Sequence, residues 1–238
     1  MNWKLHWNES AFVRNADLCW QVGRTFRQKA YSDEEIAHVI NKVLRLLQAN
    51  ADKELLDLAC GNGMLTSRIA QHFKSVVGVD FSVPLIESAR QHSHRENIDY
   101  LVGNVLDLGE LGRQFDCIML YCAFQYFSPR QAEILFSNVE RMLTKSGIVL
   151  LGDVADGDRR WKFYKGLRGR CRFLVDVIRN KPIIGYWWKP SDLHRLAERH
   201  QLRMLIHYQE KDSPNYYFRY DAVLQRKPRP VASAATCA

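Results

Sequence analysis

Apolar residues recur along this chain in two rhythms, and their alternation predicts its architecture. Ser32-Asp-Glu-Glu35 has the composition of a helix capping box, and behind it Ile36, Val39, Ile40, Val43, Leu46 and Leu47 repeat at helical spacing. A helix is expected over 33–50. Residues 54–58 form a short apolar run with an acid at its end, 64–73 return to the helical period, and 75–79 are a β-branched run that stops at Asp80. Ser82 stands where an N-cap belongs, with Pro84 in the first turn of a helix reaching about residue 94. Strands are expected at 98–102 and 115–120. Ser128-Pro-Arg-Gln131 opens another helix, whose buried face is Ile134, Leu135, Val139, Met142 and Leu143. Gly147 should end it, with a fifth strand at 148–151. A helix at 191–200 and strands at 202–209 and 216–225 complete the pattern.

Strands alternating with helices at this interval predict an α/β fold. The expected form is a doubly wound, mostly parallel seven-stranded sheet with helices on both faces and an antiparallel C-terminal edge strand. The domain would span 32–226. Residues 1–31, rich in Trp, Asn and Arg, read as an N-terminal helical extension of two short helices. Residues 227–238 read as a disordered tail.

Composition narrows the class. With 238 residues, 47% of them hydrophobic, one large domain can bury its own core without a structural metal or disulfide. The six cysteines are scattered, with no C-x-x-C pair and no zinc spacing, so reduced thiols are expected. There is no apolar run of transmembrane length, and the first residues lack the apolar core of a signal peptide. A cytoplasmic protein without a membrane span is expected. The net charge of +8 suits nucleic acid, an anionic membrane surface or a phosphorylated small substrate without choosing among them.

The strongest chemical signal is Asp57-Leu-Ala-Cys-Gly-Asn-Gly63, at the carboxyl end of the first strand, where open α/β sheets bind ligands. A small-residue turn there would let a ligand approach the backbone. A dinucleotide fingerprint needs a third glycine, and Thr66 stands in its place. A carboxylate at Asp57 would repel a pyrophosphate and favour an ammonium or sulfonium. Asp80, at the end of the second strand, is spaced to accept both hydroxyls of a ribose. The two acids together suggest an adenosyl ligand with a positively charged amino-acid end.

At these residues the chain resembles the class I (Rossmann-like) S-adenosylmethionine-dependent methyltransferases. Leu55-Leu-Asp-Leu-Ala-Cys-Gly-Asn-Gly63 is similar to their first motif, and Val76-Val-Gly-Val-Asp-Phe-Ser82 to their second. Gly103-Asn-Val105 falls where the family holds the adenine, and 115–127 resembles the fourth strand and the loop facing the donor methyl. The resemblance implies S-adenosyl-L-methionine as cofactor. It implies a binding set of Asp57, Ala59, Cys60, Gly61, Asn62, Gly63, Asp80, Phe81, Ser82, Asn104, Val105 and Tyr121. The chain departs from the family in two places: Ala59 replaces a glycine, and Asn104 replaces the commoner Asp.

On the acceptor side, Tyr126 could hydrogen-bond the acceptor, or act as a base if its pKa were lowered. Asp153, at the end of the fifth strand, is a second candidate base. Gln125 is a candidate acceptor contact. A lid is expected over about 156–189, where nine Lys or Arg residues from Arg159 to Lys181 interleave with aromatics. Arg168 and Arg170 would there hold an anionic small-molecule acceptor, such as a sugar, glycan or phosphorylated metabolite. The alternatives are an RNA methyltransferase, which the charge permits, and a nicotinamide-dependent oxidoreductase, which Asp57 and Thr66 disfavour.

Overall fold

The computed structural model describes residues 3–9, 16–26, 28–108, 111–179, 182–211 and 213–228. Seven strands form the central sheet: β1 (Glu54–Leu58), β2 (Ser75–Asp80), β3 (Ile98–Val102), β4 (Phe115–Tyr121), β5 (Leu143–Ala155), β6 (Leu202–Tyr208) and β7 (Arg219–Arg226). Their spatial order is β3-β2-β1-β4-β5-β7-β6. The first five strands are mutually parallel, and β7 runs antiparallel between β5 and β6. The chain leaves the β3 edge and re-enters beside β1, so the topological switch point lies between β1 and β4. Asp57 sits there, opposite Gly78 on one side and Met119 on the other.

Alternate residues of the central strands feed two cores, as a sheet covered on both faces requires. Leu56, Leu58, Ile118 and Leu120 pack with α6 (Pro129–Met142) and α9 (Pro190–Arg199). Leu55, Cys117 and Met119 pack on the other face with α3 (Asp33–Leu47), α4 (Met64–Ile69) and α5 (Val83–His92). The capping boxes at Ser32 and Ser128 both form.

The boundaries differ from expectation by more than two residues, or by a break in the element, in four places. Helix α3 stops at Leu47 because Gln48 turns left-handed. The helix expected over 64–73 breaks into α4 and a 3-10 turn, Ala70–His72. Leu143 is already extended, so β5 begins directly after α6 and is 13 residues long, with Gly147 inside it. Residues Tyr216–Phe218 form a 3-10 turn, which delays β7 to Arg219.

At the N-terminus, α1 (Trp3–Glu9) and α2 (Leu18–Gln21) are the two short helices expected, followed by a small hairpin of Thr25–Phe26 and Lys29–Ala30. The basic segment holds α7 (Arg160–Phe163) and α8 (Gly166–Ile178). Among the described residues no helix is long and apolar enough to cross a membrane. Most of the expected tail, 229–238, lies outside the described residues.

Candidate active site

The turn after β1 is built from left-handed residues: Ala59, Gly61 and Gly63 have φ of 56, 59 and 69°. A side chain at Gly61 would meet Val22 Cγ1 at 2.8 Å, and one at Gly63 would clash with the Tyr100 hydroxyl. Contrary to the sequence expectation, Gly63 therefore serves packing against Tyr100 rather than approach of a ligand. Ala59 is not a neutral replacement either, since a non-glycine residue in this conformation costs roughly 1–2 kcal/mol.

Two acids flank the turn. Asp57 is buried, its Oδ2 accepts a 2.6 Å hydrogen bond from the Thr66 hydroxyl, and burial pushes its pKa up to about 7. Thr66, which breaks the dinucleotide pattern, thus holds the acid that replaces it. Asp80 accepts the Gly61 amide on Oδ2 and the Ser82 amide on Oδ1, each at 2.9 Å. Burial raises its pKa against those bonds. Each of its oxygens keeps a lone pair for a further donor. The Ser82 side chain does not cap α5 as expected. Its hydroxyl donates to the Trp7 carbonyl at 2.8 Å, tying α1 to the end of β2.

The acids face a cleft of two adjoining lobes. The first is lined by Asp57, Cys60, Gly61, Asn62, Asp80 and Tyr121, together with Val22 and Arg24 from the N-terminus. Asn104, Val105, Leu106, Phe127 and Trp3 line the second. Trp7, Ala59, Phe81, Ala123 and Tyr126 belong to both. Asn62 spends its side chain on structure: Nδ2 donates to Leu18 O and Gln21 Oε1, and Oδ1 accepts from Met64 N, which fastens α2 to the turn. Asn104 Oδ1 accepts the Leu106 amide at 3.0 Å and shapes the loop of the second lobe.

Gly63, Ser82, Gln125, Asp153, Arg168 and Arg170 line neither lobe. Gln125 points inward, its Nε2 donating to Cys122 O at 2.7 Å. Asp153 accepts from Gln209 Nε2 at 2.9 Å and lies 3.5 Å from both Arg24 and Arg219. Burial alone would raise its pKa, but Arg219 and Arg24 more than reverse this and hold it ionised. A carboxylate so paired is a poor proton acceptor, which argues against Asp153 as the base. Tyr126 packs against Trp3 and Trp7 at ring-centroid distances of 4.5 and 5.8 Å. Burial pushes its phenol further up, the opposite of what a base needs. Arg168 and Arg170 are exposed on α8.

Trp7, Val22 and Arg24 had no sequence signal beyond the Trp- and Arg-rich composition of the first thirty residues, because their partners lie far along the chain. Arg24 is buried with its guanidinium 4.7 Å from the Tyr121 ring centroid. Behind it, Lys42 pairs with Asp221 at 2.9 Å, and Asp221 Oδ1 accepts the Asp153 amide at 2.7 Å. Arg24, Lys42 and Arg219 thus face Asp153 and Asp221, leaving one positive charge in surplus among these five groups. Arg24 is the member that reaches the cleft. One lobe therefore presents an acid that favours a cation and an arginine that favours an anion. That combination suits a zwitterionic amino-acid group, and with Asp80 for the ribose the residues fit S-adenosylmethionine.

Residues 55–147 match the family described as methyltransferase domain. The match covers a methyltransferase domain, and the sheet order and the cleft give the chain the fold of the class I, S-adenosylmethionine-dependent methyltransferases. The chain is similar to the ubiquinone biosynthesis O-methyltransferase of Coxiella burnetii (strain RSA 493 / Nine Mile phase I), 26% identical over 72% of this chain and 76% of that one. It is also similar to the malonyl-[acyl-carrier protein] O-methyltransferase of Priestia megaterium, 26% identical over 54% of this chain and 47% of that one. In fold it is similar to the magnesium protoporphyrin IX methyltransferase of Synechocystis PCC 6803, crystallised with bound SAH. There the TM-score is 0.66 at 13% identity, over 94% of this chain and 97% of that one.

Proposed function

We propose that the chain methylates an oxygen of a small acceptor that arrives already ionised, a carboxylate or an acidic phenol. The observation behind this reading is what the cleft lacks. Among its described lining residues, Asp57 and Asp80 are assigned to the cofactor, Arg24 is a cation, and burial pushes up the phenols of Tyr121 and Tyr126 and the thiols of Cys60 and Cys122. No side chain there is poised to remove a proton, so an acceptor that needs no deprotonation fits best. The basic lid expected for an anionic acceptor does not carry the reading, because Arg168 and Arg170 line neither lobe. The two relatives above are named as O-methyltransferases, which is consistent with an oxygen acceptor.

When bound, S-adenosylmethionine supplies an electrophilic methyl group on a sulfonium. Asp57 would face its ammonium, Arg24 its carboxylate and Asp80 its ribose hydroxyls, with Phe81, Asn104 and Val105 beside the adenine. Trp3, Trp7 and Tyr126 would wall the acceptor, exclude water and hold it in line with the donor. Tyr126 would serve as a hydrogen-bond donor to the acceptor, not as a base.

Calorimetry with S-adenosylmethionine, S-adenosylhomocysteine and NAD tests the cofactor assignment. The first two should bind in the micromolar range, on the order of ~−8 kcal/mol, and Asp80→Ala should weaken binding at least tenfold. Binding of NAD alone would overturn it. For the acceptor, a panel of small carboxylic acids and phenols should give kcat/KM profiles that track each acceptor's own pKa. Profiles that all follow one enzyme group would mean that a base has been missed.

A further inference from the structure

Helix α8 is turned inside out. Its one acid, Asp176, is buried and pairs with Arg172 at 3.0 Å. Phe173, on the same side, packs against the aromatic cluster of Tyr164, Trp187 and Phe218. The opposite side carries Leu167, Cys171, Leu174 and Ile178, spaced i, i+4, i+7 and i+11 and so aligned in one stripe. That stripe faces outward: Leu167 is 79% exposed, Leu174 57% and Ile178 83%. Val175 and Val177 widen it on either side and are exposed as well. A solvent-facing apolar stripe on a water-soluble helix marks a surface that is covered in use.

The charge beside the stripe identifies what covers it. Residues 160–179 hold seven Lys or Arg and one acid, and that acid is already paired. By helical geometry Arg168 and Arg170 flank the stripe on either side, where long cationic side chains can reach up to a negatively charged layer while the apolar residues sit below it. We propose that α8 is an interfacial anchor that lays this face on an anionic bilayer surface, with Leu167, Leu174 and Ile178 entering the headgroup boundary. A second copy of this chain fits worse, because a two-fold contact through the stripe would bring arginine against arginine. RNA fits the charge but leaves the apolar stripe in water. The anchor is independent of the acceptor proposed above, since α8 residues line neither lobe of the cleft.

Co-sedimentation of the full chain with vesicles tests the anchor. Binding should be at least tenfold stronger to vesicles of mixed phosphatidylglycerol and phosphatidylcholine than to phosphatidylcholine alone, and should weaken as salt is raised. The double variant L174S/I178S should lose at least tenfold in vesicle binding at constant charge. R168E/R170E should lose the preference for the anionic lipid. All four positions are exposed, so folding and affinity for S-adenosylhomocysteine should be unchanged, which separates failure of the anchor from failure of the cofactor site. Three outcomes would overturn the proposal: equal binding to both vesicle types, wild-type binding by L174S/I178S, or no vesicle binding accompanied by dimerisation or RNA binding that these variants abolish.

Discussion

Two pairs of buried acids stand near the carboxyl ends of the same sheet and behave oppositely. Asp57 and Asp80 are held by a hydroxyl and two backbone amides, and burial raises the pKa of both. Asp153 and Asp221 are surrounded by Arg24, Arg219 and Lys42, and Asp153 is held ionised. Burial is common to both pairs, so burial does not mark the site. The missing countercharge does. The first pair is left short of cations, which the cationic ligand proposed above would supply. The second is satisfied from within and acts as the floor against which Arg24 is braced.

The largest expected effect breaks the self-satisfied pair. Asp153→Asn keeps the shape and tolerates the left-handed backbone of this position, φ 58°, but leaves Arg24 and Arg219 without the Asp153 anion. Losing one partner of a buried ion pair costs about 3–5 kcal/mol, to be read as a shift in the denaturation midpoint. A change below about 1 kcal/mol would mean that solvent reaches this network and the contrast is false. Next comes Asp57→Asn, which should weaken S-adenosylhomocysteine at least tenfold, about 1.4 kcal/mol or more, with no loss of Tm in the free protein. Equal losses in both would make Asp57 a structural acid like Asp153.

The pH dependence sharpens the same contrast. The pKa of Asp57 rises from an ordinary 3.8 to about 7 on folding. Between those values the folded state keeps a proton that the unfolded state has released, so the contribution of Asp57 to stability falls as pH rises from about 4 to 7. Thermal melts of wild type and Asp57→Asn across this range should diverge, the variant lacking that fall. Asp153 has the opposite sign: its contribution is present above its unfolded pKa and is lost only as pH falls through its lowered folded value. The smallest effect is at the turn between the pairs. Ala59→Gly relieves a left-handed alanine and should stabilise by about 1 kcal/mol, a rise in Tm of about 2–4 °C. An unchanged Tm would mean that the methyl's packing against the core offsets the strain.

The first strands were legible because β1 and β2 are short apolar runs closed by acids, and those signals are local. Asp57, Asp80 and the loop at Asn104 could be found for the same reason. Arg24 and Trp7 could not, because each acts on residues that only the folded sheet brings near. Arg168 and Arg170 misled in the opposite way. Their charge was readable, but the face they occupy is set by Asp176 turning inward, which spacing alone did not show. Gly63 misled because its requirement comes from Tyr100, two strands over on β3.

The wall formed by α1 has a consequence for how the free and loaded protein differ. Seven residues are too few to hold a helix in water. α1 persists through its tertiary contacts, among them the Tyr126 ring and the Ser82 hydroxyl. It is therefore a local folding unit that opens at lower free energy than the sheet beneath it. A ligand seated between Trp7 and Asp80, as proposed above, would favour the closed unit and add its own binding energy to the closure. Amide exchange in residues 3–9 should then slow as ligand is added, while the strands hardly change. The end of the chain becomes a gauge of whether the cleft is filled.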